Sequence, residues 1–243
     1  MKVLAVCHVH SDWSYDGSWS LSELAAKFRQ RGCRVLMMTE HDRGFTNERF
    51  EEYRRACAQV SSEGLLVIPG IEYSDALNRV HVLTWGPGPF LGESLSTDEM
   101  LKAVKAANGI AVLAHPSRKE VWQSFAPHWT DKLLGIEVWN RKYDGWAPST
   151  TAPDLVSKTG AIPFVGLDFH TERQSFPLGM ALDLQSAVTE AAVLDCLRAR
   201  GCEAYAFGAP LGRDFLRRAL PVMRVAEKSR RTAARIARRA GVL

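Results

Sequence analysis

Short runs of apolar and β-branched residues alternate along the chain with segments whose apolar positions recur every three or four residues. Because strands have a two-residue period and helices a period near four, this alternation predicts βα units around a parallel sheet. The apolar runs predict strands at 2–7, 34–40, 65–73, 79–86, 110–116, 135–140 and 162–170.

Capping residues mark several helices between these strands. Ser20 with Glu23, and Ser96 with Glu99, have capping-box spacing, and Pro153 suits the first turn of a helix. Further helices are predicted at 47–61 and 187–200. Seven parallel strands with interleaved helices favour an α/β fold that closes, or nearly closes, into a (β/α) barrel. No repeat or linker interrupts the pattern before residue 209, so one domain is expected at 1–208.

The composition is that of an ordinary globular protein, with 46% hydrophobic and 24% charged residues among 243. The five cysteines are odd in number and form no C-x-x-C pair, which favours reduced thiols over a disulfide framework. We find neither the apolar core of a signal peptide nor an apolar run of about 20 residues that could span a membrane. The sequence therefore predicts a cytoplasmic protein.

The positive charge is concentrated at the end of the chain. Residues 212–243 carry ten Arg or Lys against two acidic residues, whereas the whole chain has a formal charge of only +4. Apolar residues at helical spacing predict a basic helical extension at 209–243, with one or two helices and a break at Pro221. Three roles are open for it: a terminal helix docked on the main domain, a nucleic-acid contact, or a membrane-surface or oligomer contact.

Six of the seven histidines lie at or near the ends of predicted strands, and only His128 falls elsewhere. The six are His8, His10, His41, His81, His115 and His170. In a (β/α) barrel the carboxyl ends of the strands form one rim, and that rim carries the active site. Any one of these histidines could be an ordinary hydrogen-bonded residue, but their joint placement predicts a shared site.

Three carboxylates fall in the same places. Glu72 ends the third predicted strand, Asp168 ends the seventh, and Asp16 follows the His-x-His sequence of the first. Imidazole and carboxylate ligands without cysteine suit Zn, Mn or Fe. Nine ligands exceed the needs of one ion, so we expect two or three divalent ions with a shared carboxylate.

The segments HVHSDWSYDG, TEHD, PGIEYSD…VHVL, AHP and GLDFH resemble the successive motifs of the PHP (polymerase and histidinol phosphatase) superfamily. The resemblance covers about residues 1–208. It implies a distorted, seven-stranded, TIM-like (β/α) barrel that holds up to three ions.

The resemblance also implies how the ligands are shared among the ions. The three groups are His8, His10, Glu72 and Asp168; Glu72, His81 and His115; and Asp16, His41 and His170. Asp12 is a second choice for the place of Asp16. The motif TEHD stands where TDH is commoner, which leaves the role of Glu40 open.

Members of the superfamily hydrolyse phosphate esters, as histidinol phosphate phosphatases, nucleotide phosphoesterases or polymerase-associated exonucleases. Two cations would lower the pKa of a bridging water, so that hydroxide attacks phosphorus. Glu72, Asp168 and His170 are the predicted catalytic residues. The sequence has no G-x-S-x-G or P-loop motif that would indicate a covalent or P-loop mechanism.

Several side chains near the predicted rim could contact substrate. Arg118, Lys119 and Arg173 are the predicted phosphate-binding residues, and Arg141 and Lys142 lie nearby; each could instead be a solvated loop charge. Aromatic residues on the same segments could stack on a ring or simply pack over the barrel mouth: Trp13, Tyr15, Trp139, Tyr143 and Trp146.

The sequence thus predicts a metal-dependent phosphoesterase, foremost a phosphatase for a small phosphorylated metabolite or nucleotide. One alternative is a nuclease or phosphodiesterase whose basic extension holds a polynucleotide. The other is a non-catalytic metal-binding regulatory module.

Overall fold

The computed structural model describes residues 1–239. The strands are β1 (Lys2–Val9), β2 (Val35–Met38), β3 (Glu40–His41), β4 (Leu66–Ile68), β5 (Gly70–Ser74), β6 (His81–Trp85), β7 (Ile110–Leu113), β8 (Gly135–Asn140), β9 (Ile162–Gly166), β10 (Leu178–Asp183), β11 (Cys202–Ala206) and β12 (Ala209–Pro210). The α-helices are α1 (Leu21–Gln30), α2 (Asn47–Val60), α3 (Thr97–Ala106), α4 (Ala152–Thr159), α5 (Glu190–Arg198) and α6 (Arg213–Arg239). Short 3-10 helices lie at Arg118–Ser124, Pro127–Trp129 and Glu172–Gln174.

Within these described residues the strands form two six-stranded sheets. The first has the order β12-β11-β10-β1-β2-β4, with β1, β2 and β4 parallel and the others antiparallel. The second has the order β3-β5-β6-β7-β8-β9, in which β6 is antiparallel to both of its neighbours. The α/β class is confirmed.

The predicted closed seven-stranded barrel is not confirmed, because the described strands form no closed barrel. The predicted strand 34–40 is divided at Thr39 into β2 and β3, one in each sheet, and the strand 65–73 is divided at Pro69 into β4 and β5. Proline has no N–H to continue the pairing. The sheets meet where β1 and β9 end, through backbone bonds such as Leu167 N to Cys7 O, at 3.0 Å.

Two further strand predictions are corrected. β6 is antiparallel because the six residues at 75–80 return the chain directly, whereas a parallel connection needs a dozen residues or more. The sequence analysis predicts no strand at Leu178–Asp183, yet β10 forms there and pairs antiparallel with β1. Because β6 runs in reverse, its first residue, His81, lies beside Ser74 at the end of β5.

The predicted helix signals are confirmed. The capping boxes of Ser20 with Glu23 and Ser96 with Glu99 are both formed, and Pro153 lies in the first turn of α4. These helices bury apolar faces, for example Leu24 and Phe28 of α1, against the sheets. The core therefore holds the strand ends in fixed positions.

In the described part of the C-terminal extension, β12 is followed by one continuous helix, α6, which runs through Pro221, so the predicted break at Pro221 is wrong. Its Glu227 is buried and accepts a hydrogen bond from the backbone N of Trp146 at 3.0 Å. Burial alone would raise the pKa of Glu227, but ion pairs with Arg230 and Arg231 lower it to about 2. The helix is therefore docked on the loop that follows β8. No helix in the described part of the chain is both long and apolar enough to cross a membrane.

We predict that Glu227→Gln loosens the docking of α6, since a hydrogen bond to a charged group contributes about 1.5–3 kcal/mol. Trypsin should then cleave within α6 roughly tenfold faster, because the rate of proteolysis is proportional to the fraction of molecules in which the helix is transiently undocked. Asp195→Asn is the matched control, since Asp195 makes a comparable pair with Arg198 that is 2.7 Å long but exposed. Equal cleavage of both variants and the parent would contradict the docking role of Glu227.

Candidate metal centre

The structure brings all nine predicted ligands together where the two sheets meet. They come from the ends of strands in both sheets and from the loop after β1: His8, His10, Asp16, His41, Glu72, His81, His115, Asp168 and His170. Most are buried, whereas His41 and Asp16 lie partly open to solvent, with 12% and 35% of their side chains exposed. His128 lies elsewhere, exposed and bonded to Asp98.

The Glu72 carboxylate lies between two groups of imidazoles. Its Oε1 is 2.7 Å from Nδ1 of His81 and 2.9 Å from Nε2 of His115. Its Oε2 is 3.5 Å from Nε2 of His8 and 3.4 Å from Nε2 of His10. Each oxygen therefore faces one of the first two ligand groups that the resemblance implies, and Oε2 also lies 3.2 Å from Nδ1 of His41, which belongs to the third group.

Buried atoms without partners test whether this site suits a metal. Nε2 of His8, Nε2 of His10 and Oε2 of Glu72 are buried and have no hydrogen-bond partner in the described structure. Ligands about 2.1 Å from a tetrahedral ion lie about 3.4 Å apart. The separations of 3.4 and 3.5 Å from Glu72 match that value. The residues fit a divalent metal centre.

A third group lies nearer the surface. Nε2 of His41 is 3.3 Å from one carboxylate oxygen of Asp16, and Nε2 of His170 is 3.1 Å from the other. Tyr15 stacks on the ring of His41, with centroids 5.0 Å apart. Asp12, the second choice from the sequence, points to a different surface cavity beside Trp13.

The electrostatics keep the central carboxylates ionised. Burial alone would raise the pKa of Glu72, but His81 and His8 hold it well below its usual range. Burial is likewise outweighed at Asp168, where His8 and Lys142 lower the pKa to about 2. Burial lowers the pKa of His10, which leaves that ring neutral and able to coordinate. Burial alone would lower the pKa of His8 and of His41, but the neighbouring carboxylates raise both, that of His41 to about 10. Protonated imidazoles therefore balance part of the buried negative charge, and bound cations would take the place of those protons.

The backbone is strained at three of these ligands. His8, His115 and Asp168 have φ angles of 59°, 25° and 49°, values that side-chain-bearing residues rarely adopt. At His8 the pairing of β1 with β2 shifts by one residue, so that Val9 rather than His8 follows Cys7 in register. Such strain persists only where the surrounding structure enforces it, and it is concentrated at functional sites.

Glu137 is a buried residue that the sequence analysis missed. Its Oε1 lies 2.8 Å from Nδ1 of His8, and its Oε2 accepts a bond from the backbone N of His115 at 2.7 Å. A partner on Nδ1 fixes the tautomer and leaves Nε2 for a metal. Gly166 allows this approach, because a Cβ there would lie 1.9 Å from the Glu137 carboxylate. A glutamate inside the apolar strand GIEVWN was the available signal.

The structure also gives Glu40 a role. Its fully buried carboxylate accepts bonds from the backbone N and hydroxyl of Ser11 and from the hydroxyl of Ser14. Glu40 therefore holds the loop between His10 and Asp16 in place.

A cavity of about 350 Å³ opens onto the cluster. It is lined by Asp16, His41 and His81 together with Arg118, Lys142 and Tyr143. Nζ of Lys142 is 3.2 Å from Oδ1 of Asp168, and Nε of Arg118 donates to the hydroxyl of Tyr143 at 3.1 Å. Three cationic side chains, those of Arg43, Arg118 and Lys142, thus line the cavity, which also has acidic residues in its wall (Asp42, Asp75 and Glu93).

The other substrate-contact candidates lie farther from this cavity. Lys119 donates to the backbone oxygen of Asn78, and neither Lys119 nor Arg173 is among the described residues that line the cavity. Of the aromatic candidates, Trp139 is fully buried, and Trp13 is partly buried, packs on Tyr53 and lines the separate surface cavity beside Asp12, so neither lies at the entrance. Tyr15 and Tyr143 remain at the entrance.

Solved structures of similar fold include the following three. A two-domain protein from Bacteroides vulgatus, containing a predicted PHP-like metal-dependent phosphoesterase, has a TM-score of 0.67 at 19% identity over 89% of this chain and 68% of its own. PsfC from Pseudomonas syringae gives 0.62 at 14% identity over 96% and 99% of the two chains. The lesion-specific endonuclease EndoQ from Pyrococcus furiosus gives 0.62 at 13% identity over 84% and 58%.

The sequence matches no protein-family model and no curated protein. At these identities the structural likeness shows the fold alone. The described strands, helices and ligand positions nevertheless agree with the order of the motifs HVHSDWSYDG, TEHD, AHP and GLDFH. The chain therefore has the PHP-type fold that its sequence motifs predict.

Proposed function

We propose that this protein is a metal-dependent phosphoesterase whose substrate is a small phosphorylated metabolite or a nucleotide. The observation that carries the proposal is the position of Glu72. Its Oε2 faces the buried Nε2 atoms of His8 and His10, which have no hydrogen-bond partner in the described structure. Its Oε1 lies 2.7 and 2.9 Å from ring nitrogens of His81 and His115. This arrangement supports two ions that share one carboxylate. The group of Asp16, His41 and His170 supports a third ion.

Zn, Mn or Fe bound here would supply Lewis-acid charge and make water a nucleophile at neutral pH. The chain itself supplies the surroundings of the phosphoryl group. The ammonium of Lys142 and the guanidinium of Arg118 face the cavity and can donate charge-assisted hydrogen bonds to phosphate oxygens. Glu137 keeps Nε2 of His8 directed at the cluster.

The cavity size and lining favour a small group next to the scissile ester. A volume of about 350 Å³ lies at the lower end of the range for ligand pockets, roughly 300–1,000 Å³. Tyr15 and Tyr143 at the entrance present ring faces on which a base or ring could stack.

Two alternatives give different outcomes in one experiment. Metal content per chain is measured on protein purified without chelator, and turnover is measured with p-nitrophenyl phosphate and its bis-ester. We expect metal-dependent turnover of the monoester. Preference for the bis-ester would favour the nuclease or phosphodiesterase alternative, and metal-loaded protein inert to both would favour the regulatory module.

We predict that Glu72→Gln lowers the metal content and abolishes turnover, because one neutral amide replaces a ligand shared by two sites. Mutation of a residue that only hydrogen-bonds a metal ligand typically lowers metal affinity or activity by about 10- to 100-fold. Loss of a shared ligand should therefore lower turnover by more than about 100-fold. The readouts are metal content by mass spectrometry and initial rates with p-nitrophenyl phosphate.

His128→Gln is the control, because His128 is exposed and bonded only to Asp98 among the described contacts. It should leave metal content and turnover unchanged. If Glu72→Gln keeps the parent's metal content and rate, the shared-carboxylate assignment is wrong.

We predict that Glu137→Gln weakens metal binding by about 10- to 100-fold through His8, without removing a ligand. The amide can still hydrogen-bond, but it no longer stabilises the Nδ1-protonated tautomer with a negative charge. Competition with a fluorescent chelator measures the metal affinity, and thermal unfolding reports any general loss of stability. An unfolding midpoint that falls while the metal affinity stays constant would show that Glu137 supports only the fold.

A further inference from the structure

A second cavity lies between α6 and the loop that follows β8. It has a volume of about 700 Å³ and is bounded by α6 on one side and by Tyr143, Asp144, residues 147–150 and Ser117 on the other. We call it the α6 groove. It lies outside the sequence motifs that supply the predicted metal ligands, so the cluster does not account for it.

Basic side chains line the helical side of the α6 groove. Arg224, Lys228, Arg231 and Arg235 are spaced by four, three and four residues, which places them on one face of the helix. Arg224, Lys228 and Arg235 are exposed and form no ion pair within the described part of the chain. Arg231 is committed to Glu227 and to the backbone oxygen of Tyr143.

The acidic groups at the α6 groove are already satisfied. Glu227 accepts bonds from Trp146 N, Arg230 and Arg231. The buried Asp144 carboxylate accepts from the hydroxyl of Ser117 at 2.7 Å and from the backbone N of Asn140 at 2.8 Å. Three exposed cations therefore face the groove without an acidic partner there.

Tyr143 connects the α6 groove with the metal cluster. It lines both this groove and the cavity at the cluster, and its ring lies 4.6 Å from that of His115. Ser117, two residues after His115, forms part of the groove wall. The side chain of Tyr143 would therefore lie between a ligand in the α6 groove and an ester bound at the cluster.

We propose that the α6 groove binds the phosphate backbone of a single-stranded oligonucleotide whose terminal phosphate monoester lies at the metal cluster, so that the proposed phosphatase acts on the end of a chain and not on its internal diesters. The inference rests on the proposed phosphoesterase function and extends it to a chain-like substrate. From Arg224 to Arg235 the helix rises roughly 16 Å, which is longer than a single phosphate requires.

The test compares two charge-matched double variants of the full-length, metal-loaded protein. Arg224→Gln with Lys228→Gln removes two groove cations and keeps long polar side chains on the helix. Arg238→Gln with Arg239→Gln removes the same charge from α6 outside the described groove lining. Fluorescence anisotropy measures binding of a fluorescein-labelled thymidine decamer, checked to be intact after the measurement.

We expect the groove variant to lose roughly tenfold in affinity at about 100 mM salt and the control less than twofold. The slope of log affinity against log salt should flatten by about 1.4, as expected for two lost phosphate contacts on a single strand. A decamer with uncharged methylphosphonate linkages should bind weakly to every form. Equal losses in both variants, or none in the groove variant, would overturn the proposal.

Two further measurements separate the possible causes of failure. If thymidine 3′,5′-bisphosphate competes as strongly as the unlabelled decamer, the groove does not recognise a chain, and the assignment is overturned. Turnover of p-nitrophenyl phosphate, which is too small to reach the groove, should be equal in all variants. Turnover without a groove effect on decamer binding would reject the groove alone, whereas groove-dependent binding without turnover of any ester would reject the phosphoesterase function.

Discussion

The centre of this fold depends on keeping two ionised carboxylates, Glu72 and Asp168, out of water. Burial of a charge is costly unless opposite charge or metal coordination compensates it. Here the nearest compensating groups are imidazoles, which carry lone pairs as well as protons, and among the described residues only Lys142 supplies a permanent cation at Asp168. Carboxylates and imidazoles packed around shared oxygens suit divalent ions better than they suit a metal-free interior.

The positions of these ligands are fixed by residues that touch no substrate. Glu137 connects His8 with the backbone of His115, and Glu40 holds the loop that carries Asp16. Gly166 leaves the space that the Glu137 carboxylate fills. The strained backbone at His8, His115 and Asp168 is maintained by this same packing, because it would otherwise relax. Preorganisation of the ligands is thus a property of the sheet junction as a whole.

Access to the cluster is shaped by a different part of the chain. The loop after β8 supplies Lys142 and Tyr143 to the entrance, and the same loop receives α6 through Glu227. The docked helix α6 therefore contacts the same loop that forms one wall of the entrance. This contact joins the basic extension to the site, although the two are far apart in the sequence.

The sequence by itself determined the α/β class, the capped helices, the identity of nine polar residues that cluster at the sheet junction, and the basic character of the extension. Each of these rests on local signals: apolar periodicity, capping pairs, and polar residues at strand ends. The division of two predicted strands between separate sheets, the reversed β6, the unpredicted β10 and the continuity of α6 across Pro221 were decided by tertiary structure. So was the pairing of His8 with Glu137, 129 residues apart, and of Trp146 with Glu227, 81 residues apart. Contacts between residues so far apart in the sequence produce no periodic pattern along it, because they form only when whole helices and strands pack together.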